Sequence, residues 1–230
     1  MSKYGQYCPM ARAVEILGDR WTLLIVRDLY TGTHHFNALE RGLPGISKAL
    51  LAERLKRLEK AGVVERREEG IGKKTCYTLT QAGLALRPVI ENLTRWGATW
   101  AFGEPDPEEL NPLLLMWWFR DRVRRDQLPQ QRVVIEFDFY ESRPHRYWLV
   151  AQPDDVSICL NHPGFDIDIL VSTPLKILYQ VWSGRIPFTR AIDEQQVNLE
   201  APPALIRAFP NWFALSPAAG IVAEVSRQNR

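Results

Sequence analysis

The stretch GISKALLAERLKRLEKAGVVERR changes its pattern of apolar and polar positions part-way along. Leu51, Leu55 and Leu58 fall at i, i+4 and i+7, the spacing of one apolar stripe on a helix. Ser47 precedes them and is a favourable N-cap residue, and the Ala-Gly pair after them is a stop signal. The pattern predicts an amphipathic helix that is followed at once by a charged, alternating strand.

The same kinds of pattern predict the neighbouring elements. One helix should run from Cys8-Pro9 to Gly18, and a second, RWTLLIVRDLY, should be capped by Asp19. FNALERGL predicts a short third helix. VVERREE and TCYTLT alternate as the strands of a hairpin with the tip GIGKK, and a long helix should follow from Thr80 to Phe102. This order is that of a winged helix-turn-helix domain.

The second half of the chain predicts an α+β domain with a mainly antiparallel sheet. Residues 110–127 should be helical. RVVIEFDFYE alternates as a half-buried strand, and HRYWLVAQ, DVSICLNH, FDIDILVS and QVNLEA should also be strands. LKILYQVWSG, which Pro174 opens, IPFTRAI and PPALIRAF predict helices. The proline-rich segment GEPDPEELNP suggests domains at 1–104 and 105–230.

Composition adds constraints to this picture. The net charge is +2, but residues 1–104 hold 16 Lys/Arg against 11 Asp/Glu, while the remainder is acidic, which suggests different partners. The three cysteines are far apart and no CxxC or HExxH occurs, so we expect no disulfide framework, no metal and no cofactor. The longest apolar run, Leu113 to Phe119, is too short to span a membrane, and the start lacks an apolar signal region. We expect a cytoplasmic protein without a membrane partner.

The face opposite the leucine stripe is free to enter the major groove of double-stranded DNA, which admits one α-helix. The hairpin would lie beside the groove, where its lysines can reach phosphates. The residues predicted to contact DNA are Ser47, Lys48, Ala52, Glu53 and Lys56 on the helix and Lys73 and Lys74 on the hairpin.

These segments resemble the HxlR family of bacterial transcription regulators, relatives of the MarR group. The resemblance is carried by CP at Cys8-Pro9, GDRWTLLIVRDL, Gly32 with FNAL, LPGISKALLAERLKRLEKAGVVER and YTLTQAG. It implies a homodimer on a roughly palindromic operator. His34-His35 depart from the family, which usually has basic residues there; since histidine titrates near neutrality, phosphate affinity at this place would be weaker or pH-dependent.

A dimer agrees with the geometry of DNA, because two recognition helices one turn apart require two-fold symmetry. We expect the long helix to form the interface together with the first helix, through Leu93, Trp96 and Trp100. The alternative is that these tryptophans pack on the second domain.

The segment from FDIDILVS to PPALIRAF resembles, in pattern, the sterol carrier protein type 2-like fold. That fold implies an apolar tunnel for lipid-like ligands or a small hydrophobic effector; the alternative is that the aromatic residues fill a core. The candidate pocket residues are Trp117, Trp118, Phe137, Phe139, Trp148, Trp182 and Phe188.

Two further features bear on possible chemistry. Asp166 and Asp168 share one face of a predicted strand, but no nucleophile–base pair or phosphate loop accompanies them, so we predict that the protein is not an enzyme. Cys8 would sit at a helix N-cap, where the dipole favours a thiolate. It is therefore a candidate redox sensor, or else a capping and packing residue.

The preferred interpretation is a homodimeric, sequence-specific DNA-binding repressor whose second domain binds a hydrophobic effector or stabilises the dimer. One alternative is a lipid or small-molecule binding protein that uses its winged helix for dimerisation. The other is a regulator that senses oxidants through Cys8.

Overall fold

The computed structural model describes residues 4–69, 74–141 and 145–228. The chain divides into two compact units, Met1–Thr94 and Arg95–Arg230, and each contains helices and strands. The division falls within a helix, ten residues before the boundary expected at residue 104. Residues beyond Thr94 join the second unit through contacts such as the ion pair of Arg95 with Glu224 at 3.0 Å.

The described part of the first unit contains helices and one hairpin in the predicted order. Its elements are α1 (Pro9–Leu17), α2 (Thr22–Tyr30), α3 (Phe36–Gly42), α4 (Lys48–Lys60), β1 (Val64–Glu69), β2 (Lys74–Leu79), α5 (Gln81–Leu84) and α6 (Arg87–Trp100), the last of which continues into the second unit.

The core of the first unit is aliphatic, and α4 contributes its leucine stripe to it. Leu51, Leu55 and Leu58 are buried, which confirms the predicted apolar face. They pack with residues of α2 and α3 such as Ile25 and Leu39. The opposite side of α4 is left at the surface.

The single helix predicted from Thr80 is wrong, because two helices, α5 and α6, replace it. Thr80 does begin α5, where its side chain accepts a hydrogen bond from Gly83 N. Pro88 lies in the first turn of α6. Proline lacks an N–H and clashes inside a helix but is tolerated in a first turn, so the chain turns before Pro88 and begins a new helix.

The second unit is an α+β structure. Its described elements after α6 are α7 (Pro112–Asp121), β3 (Val133–Phe139), β4 (His145–Ala151), β5 (Val156–Cys159), β6 (Ile169–Ser172), α8 (Leu175–Ser183), α9 (Phe188–Asp193), β7 (Asn198–Glu200), α10 (Pro203–Ala208) and α11 (Ala219–Gln228), with short 3-10 helices at Pro107–Glu109, Arg125–Gln127 and Phe209–Trp212.

The five described strands of this unit form one sheet in the order β5-β4-β3-β6-β7. The β3–β6 pair is parallel, and the other pairs in the described sheet are antiparallel. Helices and the sheet enclose an aromatic core that includes Phe119, Phe137, Trp182 and Phe209.

The prediction that β3 is half-buried is wrong. Val133 to Phe137 are all buried, including Glu136, because β3 is central in the sheet and covered on both faces. Glu136 accepts a hydrogen bond from Trp148 Nε1 at 2.9 Å and pairs with Arg146 at 3.3 Å, so the buried carboxylate is satisfied.

Three other predicted elements need correction. The helix expected over 110–127 ends at Asp121, and a short 3-10 helix follows after a break. Asp166 and Asp168 precede β6 instead of sharing a strand face; Asp168 accepts a hydrogen bond from Val134 N at 2.8 Å. The last predicted helix is α10, but a further helix, α11, follows it.

Candidate nucleic-acid interface

The N-terminus of α4 is set by a turn and a side-chain cap. Gly45 has φ of +88°, a left-handed conformation that suits glycine, and it turns the chain just before the helix. Ser47 Oγ accepts a hydrogen bond from Leu50 N at 3.2 Å, so the predicted N-cap is confirmed.

All five predicted groove-facing residues of α4 lie at the surface. Ser47, Lys48, Ala52, Glu53 and Lys56 are exposed, whereas Leu51, Leu55 and Leu58 are buried. Lys48 lies 3.9 Å from a carboxylate oxygen of Glu40 on α3, which is a loose contact. The exposed surface of α4 therefore carries the cations Lys48 and Lys56.

An ion network that sequence patterns did not reveal joins α4 to the start of α2. Asp19 pairs with Arg57 at 2.7 Å and with Arg54 at 3.2 Å. Glu53 pairs with Arg57 at 2.6 Å and with Arg54 at 3.3 Å. The i, i+4 spacing of Glu53 and Arg57 could have suggested one ion pair. The pair of Arg57 with Asp19 joins residues 38 positions apart, and no local pattern indicates it.

The expectation that Asp19 caps α2 is therefore wrong. The N-cap residue is Trp21, with φ of +81°, and the Asp19 carboxylate is turned toward α4. A positive φ in a bulky residue is strained and persists only when the surroundings hold it. Arg20 lies over the Trp21 ring at 5.2 Å. A Cβ at Gly45 would lie 3.8 Å from the edge of the same ring, so this tryptophan lies beside the turn that precedes α4.

The hairpin beside α4 pairs β1 and β2 in register from Val64 with Leu79 to Glu69 with Lys74. Lys74 is exposed on β2. Lys73 lies outside the described residues. Arg66 and Arg67 on β1 are also exposed and were not predicted to contact DNA, although Arg67 is paired with Glu65 at 2.5 Å.

His34 and His35 lie along the free edge of β2. The Tyr77 N–H donates to His34 O at 2.8 Å, and His34 Nδ1 lies 3.1 Å from Tyr77 O. His35 Nδ1 lies 3.3 Å from Thr75 O. Since a carbonyl only accepts, each Nδ1 carries its proton and donates it, so both rings hold the hairpin backbone.

Comparison with known proteins places this arrangement in a family. A family model described as HxlR-like helix-turn-helix matches residues 16–104. The HTH-type transcriptional regulator YvaP of Bacillus subtilis (strain 168) is 39% identical over 100 residues, which is 42% of this chain and 91% of YvaP. The chain belongs to the HxlR-like helix-turn-helix family.

Other relatives cover a similar share of this HxlR-like chain. The HTH-type transcriptional regulator YodB of B. subtilis is 41% identical over 93 residues, 39% of this chain and 81% of YodB. The solved reduced form of YodB is 37% identical, with a TM-score of 0.38, and covers 42% of this chain and 96% of that one. The redox regulator HypR in its reduced form is 27% identical, with a TM-score of 0.37, and covers 39% of this chain and 90% of HypR. The protein is a transcriptional regulator of the HxlR type.

The predicted dimer residues form an exposed apolar stripe on α6. Leu93, Trp96 and Trp100 are 48%, 60% and 74% exposed, and Val89 one turn earlier is 42% exposed. None of the described residues of α6 is buried. So much apolar surface on one helix side is typical of a face that another protein covers.

Cys8 lies where it was predicted, at the N-cap of α1, with Pro9 in the first turn. It is partly buried, and its side chain makes no capping hydrogen bond. Whether its thiol responds to oxidants stays a prediction.

Most of the predicted pocket residues contact other rings in the second unit. Trp118 stacks on Trp182 at 5.9 Å, and Phe137 contacts Phe139 at 6.4 Å. Trp117 lies beneath the Arg120 guanidinium, and the Trp148 Nε1–H donates a hydrogen bond to Glu136. Phe188 packs edge-on against Phe209. Of these seven, Phe188 lines a described surface concavity of about 460 Å³.

The described residues contain no group of three or more His, Cys, Asp or Glu placed to hold a metal ion. Within the same residues, no helix has the length and apolar character needed to cross a membrane.

Proposed function

We propose that this protein is a sequence-specific DNA-binding repressor that acts as a homodimer, with α4 in the major groove. The observation that carries the proposal is the two-sided character of α4. Its leucines are buried, while a capped N-terminus and a cationic face are exposed beside the hairpin. A helix of this kind enters the major groove with its first residues toward the bases.

The contacts of the α4 side chains suggest a different role in DNA binding for each. Ser47 and Lys48 stand at the helix start, and Lys56 lies two turns on along the exposed face. Glu53 is held by Arg57 at 2.6 Å. In this proposal the main role of Glu53 is therefore to position Arg57 on the groove face. Accepting a hydrogen bond from a base is secondary.

The proposal is tested by titrating the full-length protein onto a duplex from its own upstream region and onto a scrambled duplex, at two salt concentrations. We expect tighter binding to the first duplex and steep weakening with salt. Lys74→Ala should weaken binding to both duplexes alike and lower the salt slope by about one. The matched control is Arg207→Ala on α10, an exposed cation in the second unit. Equal slopes for Lys74→Ala and the parent would remove the hairpin from the DNA-binding surface.

The homodimer is proposed from the exposed stripe on α6, and its test is the oligomeric state. Analytical ultracentrifugation should find a dimer for the parent and a monomer for the double variant Trp96→Ser/Trp100→Ser. Tyr140→Ser, at an exposed aromatic residue of the second unit, is the control and should remain dimeric. A double variant that sediments like the parent would show that these tryptophans are not in the interface.

We also propose that the second unit is sterol carrier protein type 2-like and serves as an effector domain. The support is the order of α8, α9, β7 and α10 beside the sheet. Mass spectrometry of an organic extract of the purified protein tests it. A stoichiometric apolar compound together with no DNA binding would favour the alternative, a ligand-binding protein that dimerises through its winged helix.

Redox sensing through Cys8 is a separate hypothesis about the same regulator. Its test is the DNA affinity of Cys8→Ser before and after oxidant treatment. If that variant still responds as the parent does, Cys8 is a capping and packing residue.

A further inference from the structure

Two arginines in the second unit flank Val123, which forms an isolated antiparallel bridge with Phe213. Ala214 N donates to Arg122 O at 2.9 Å, and Arg124 N donates to Trp212 O at 2.7 Å. Between them Val123 packs on the aromatic core.

These two arginines line the concavity of about 460 Å³. Apolar side chains form much of the remaining wall, among them Phe188, Phe213 and Leu215. The volume lies within the range of small-molecule sites, which combine apolar walls with a few placed polar groups.

Arg122 is fixed but not neutralised. Its Nε donates to the carbonyl oxygens of Ala214 at 3.2 Å and Leu215 at 2.8 Å, which leaves its terminal nitrogens without a hydrogen bond to the described residues. Burial, and then repulsion from Arg124, lower the pKa of Arg122. Among the ion pairs of the described residues, none includes Arg122 or Arg124.

Two uncompensated guanidinium groups beside aromatic and aliphatic walls suit one kind of ligand. The planar fork of arginine matches a carboxylate, and hydrogen bonds between charged groups are roughly twice as strong as neutral ones. We propose that this concavity binds a compact organic carboxylate, with its anionic group on Arg122 and Arg124 and its apolar body against Phe188, Phe213 and Leu215.

This site does not depend on the proposed repressor function, because binding is measured without DNA. The experiment is isothermal titration calorimetry of the full-length protein with 2-naphthoate. 2-Naphthalenemethanol, which keeps the rings but lacks the charge, and inorganic phosphate, which has charge but no apolar body, are titrated in parallel. We expect one site for 2-naphthoate and at least about tenfold weaker binding of either comparison compound.

The test variant is Arg124→Gln, because the Arg124 side chain is exposed and its structural hydrogen bond comes from its backbone. We expect about tenfold weaker binding of 2-naphthoate and an unchanged Tm. Arg125→Gln is the matched control; its neighbouring guanidinium donates to Asp154 O at 2.9 Å, does not line the concavity and should leave affinity unchanged.

Three results would overturn the proposal. They are the absence of saturable 2-naphthoate binding at millimolar concentration, equal affinity for the neutral alcohol, and equal loss of affinity in Arg124→Gln and Arg125→Gln. If 2-naphthoate binds as expected while specific DNA binding is absent, the carboxylate site stands and the repressor proposal fails.

Discussion

In the first unit the buried core is aliphatic, with residues such as Ile25, Leu39 and Leu55 on helices and no aromatic ring among its buried, described members. In the second unit the core is built from rings. Phe209 contacts Phe188, Phe213 and other rings at centroid distances of 5.3 to 6.4 Å. In the first unit the aromatic side chains that pack against the core, Trp21, Phe36 and Tyr77, are only partly buried.

This difference follows from how each core is assembled. An aliphatic stripe on a helix repeats every three or four residues, so one short stretch of sequence shows it. The ring cluster joins residues of β3, α9 and the chain after α10, which are far apart in sequence. The second core therefore depends on tertiary packing that no local pattern displays.

The largest expected effect comes from opening the aromatic core. Phe209→Ala should cost about 3–5 kcal/mol, because it leaves a cavity among rings that cannot collapse onto it. Hydrogen exchange should show lost protection in β3, with α4 retaining more of its protection. Tyr140→Ala, at an exposed site, should change stability by less than about 0.5 kcal/mol. Equal losses in β3 and α4 would contradict the contrast between the two cores.

The next largest effect on stability is expected at Glu136, the buried carboxylate of the second unit. Glu136→Ala should lower the free energy of unfolding by about 2 kcal/mol, because the Trp148 N–H loses its acceptor in a buried place. Glu136→Gln keeps an acceptor there and should cost less. Urea unfolding measures both variants, and indistinguishable stabilities would show that the hydrogen bond to Trp148 is not what matters.

The cap of α4 is the corresponding polar contact in the first unit. Ser47→Ala removes the acceptor for Leu50 N and should cost about 1 kcal/mol in thermal or urea unfolding. Ser47→Asn, which can still cap, should retain most of the stability. A full loss in Ser47→Asn would mean that the hydroxyl has another role.

The smallest effect concerns Asp28, the buried carboxylate of the first unit. Burial raises the pKa of its carboxyl, against the attraction of Arg27. The folded protein thus binds more protons than the unfolded chain between the ordinary and the raised pKa, and this contribution to stability decreases as pH rises through that window.

Asp28→Asn removes this titration. The free energy of unfolding of the variant minus that of the parent should be larger at neutral pH than at a pH just above the ordinary carboxyl pKa of about 4. This change between the two pH values should be less than about 1 kcal/mol. Urea unfolding at the two pH values measures the difference, with Asp193→Asn as the exposed comparison. A stability difference from the parent that is the same at both pH values would contradict the raised pKa.

Much of the first unit was predictable because its signals are local. The Ser47 cap, the leucine stripe and the hairpin all follow from neighbouring residues. The capping role assigned to Asp19 was wrong because its carboxylate is used 38 positions away, on Arg57. The prediction of a single long helix was wrong because Pro88 is not tolerated inside a helix and instead lies in the first turn of α6.

By itself the sequence determined the elements of the first unit as far as the hairpin, the leucine stripe of α4 and the family, since these depend on periodicity and short motifs. Tertiary structure alone decided that β3 is covered on both faces, that Trp21 adopts a left-handed conformation, and that Arg122 and Arg124 meet at one concavity. Burial and charge pairing between residues distant in sequence are set by packing, and no periodicity records them.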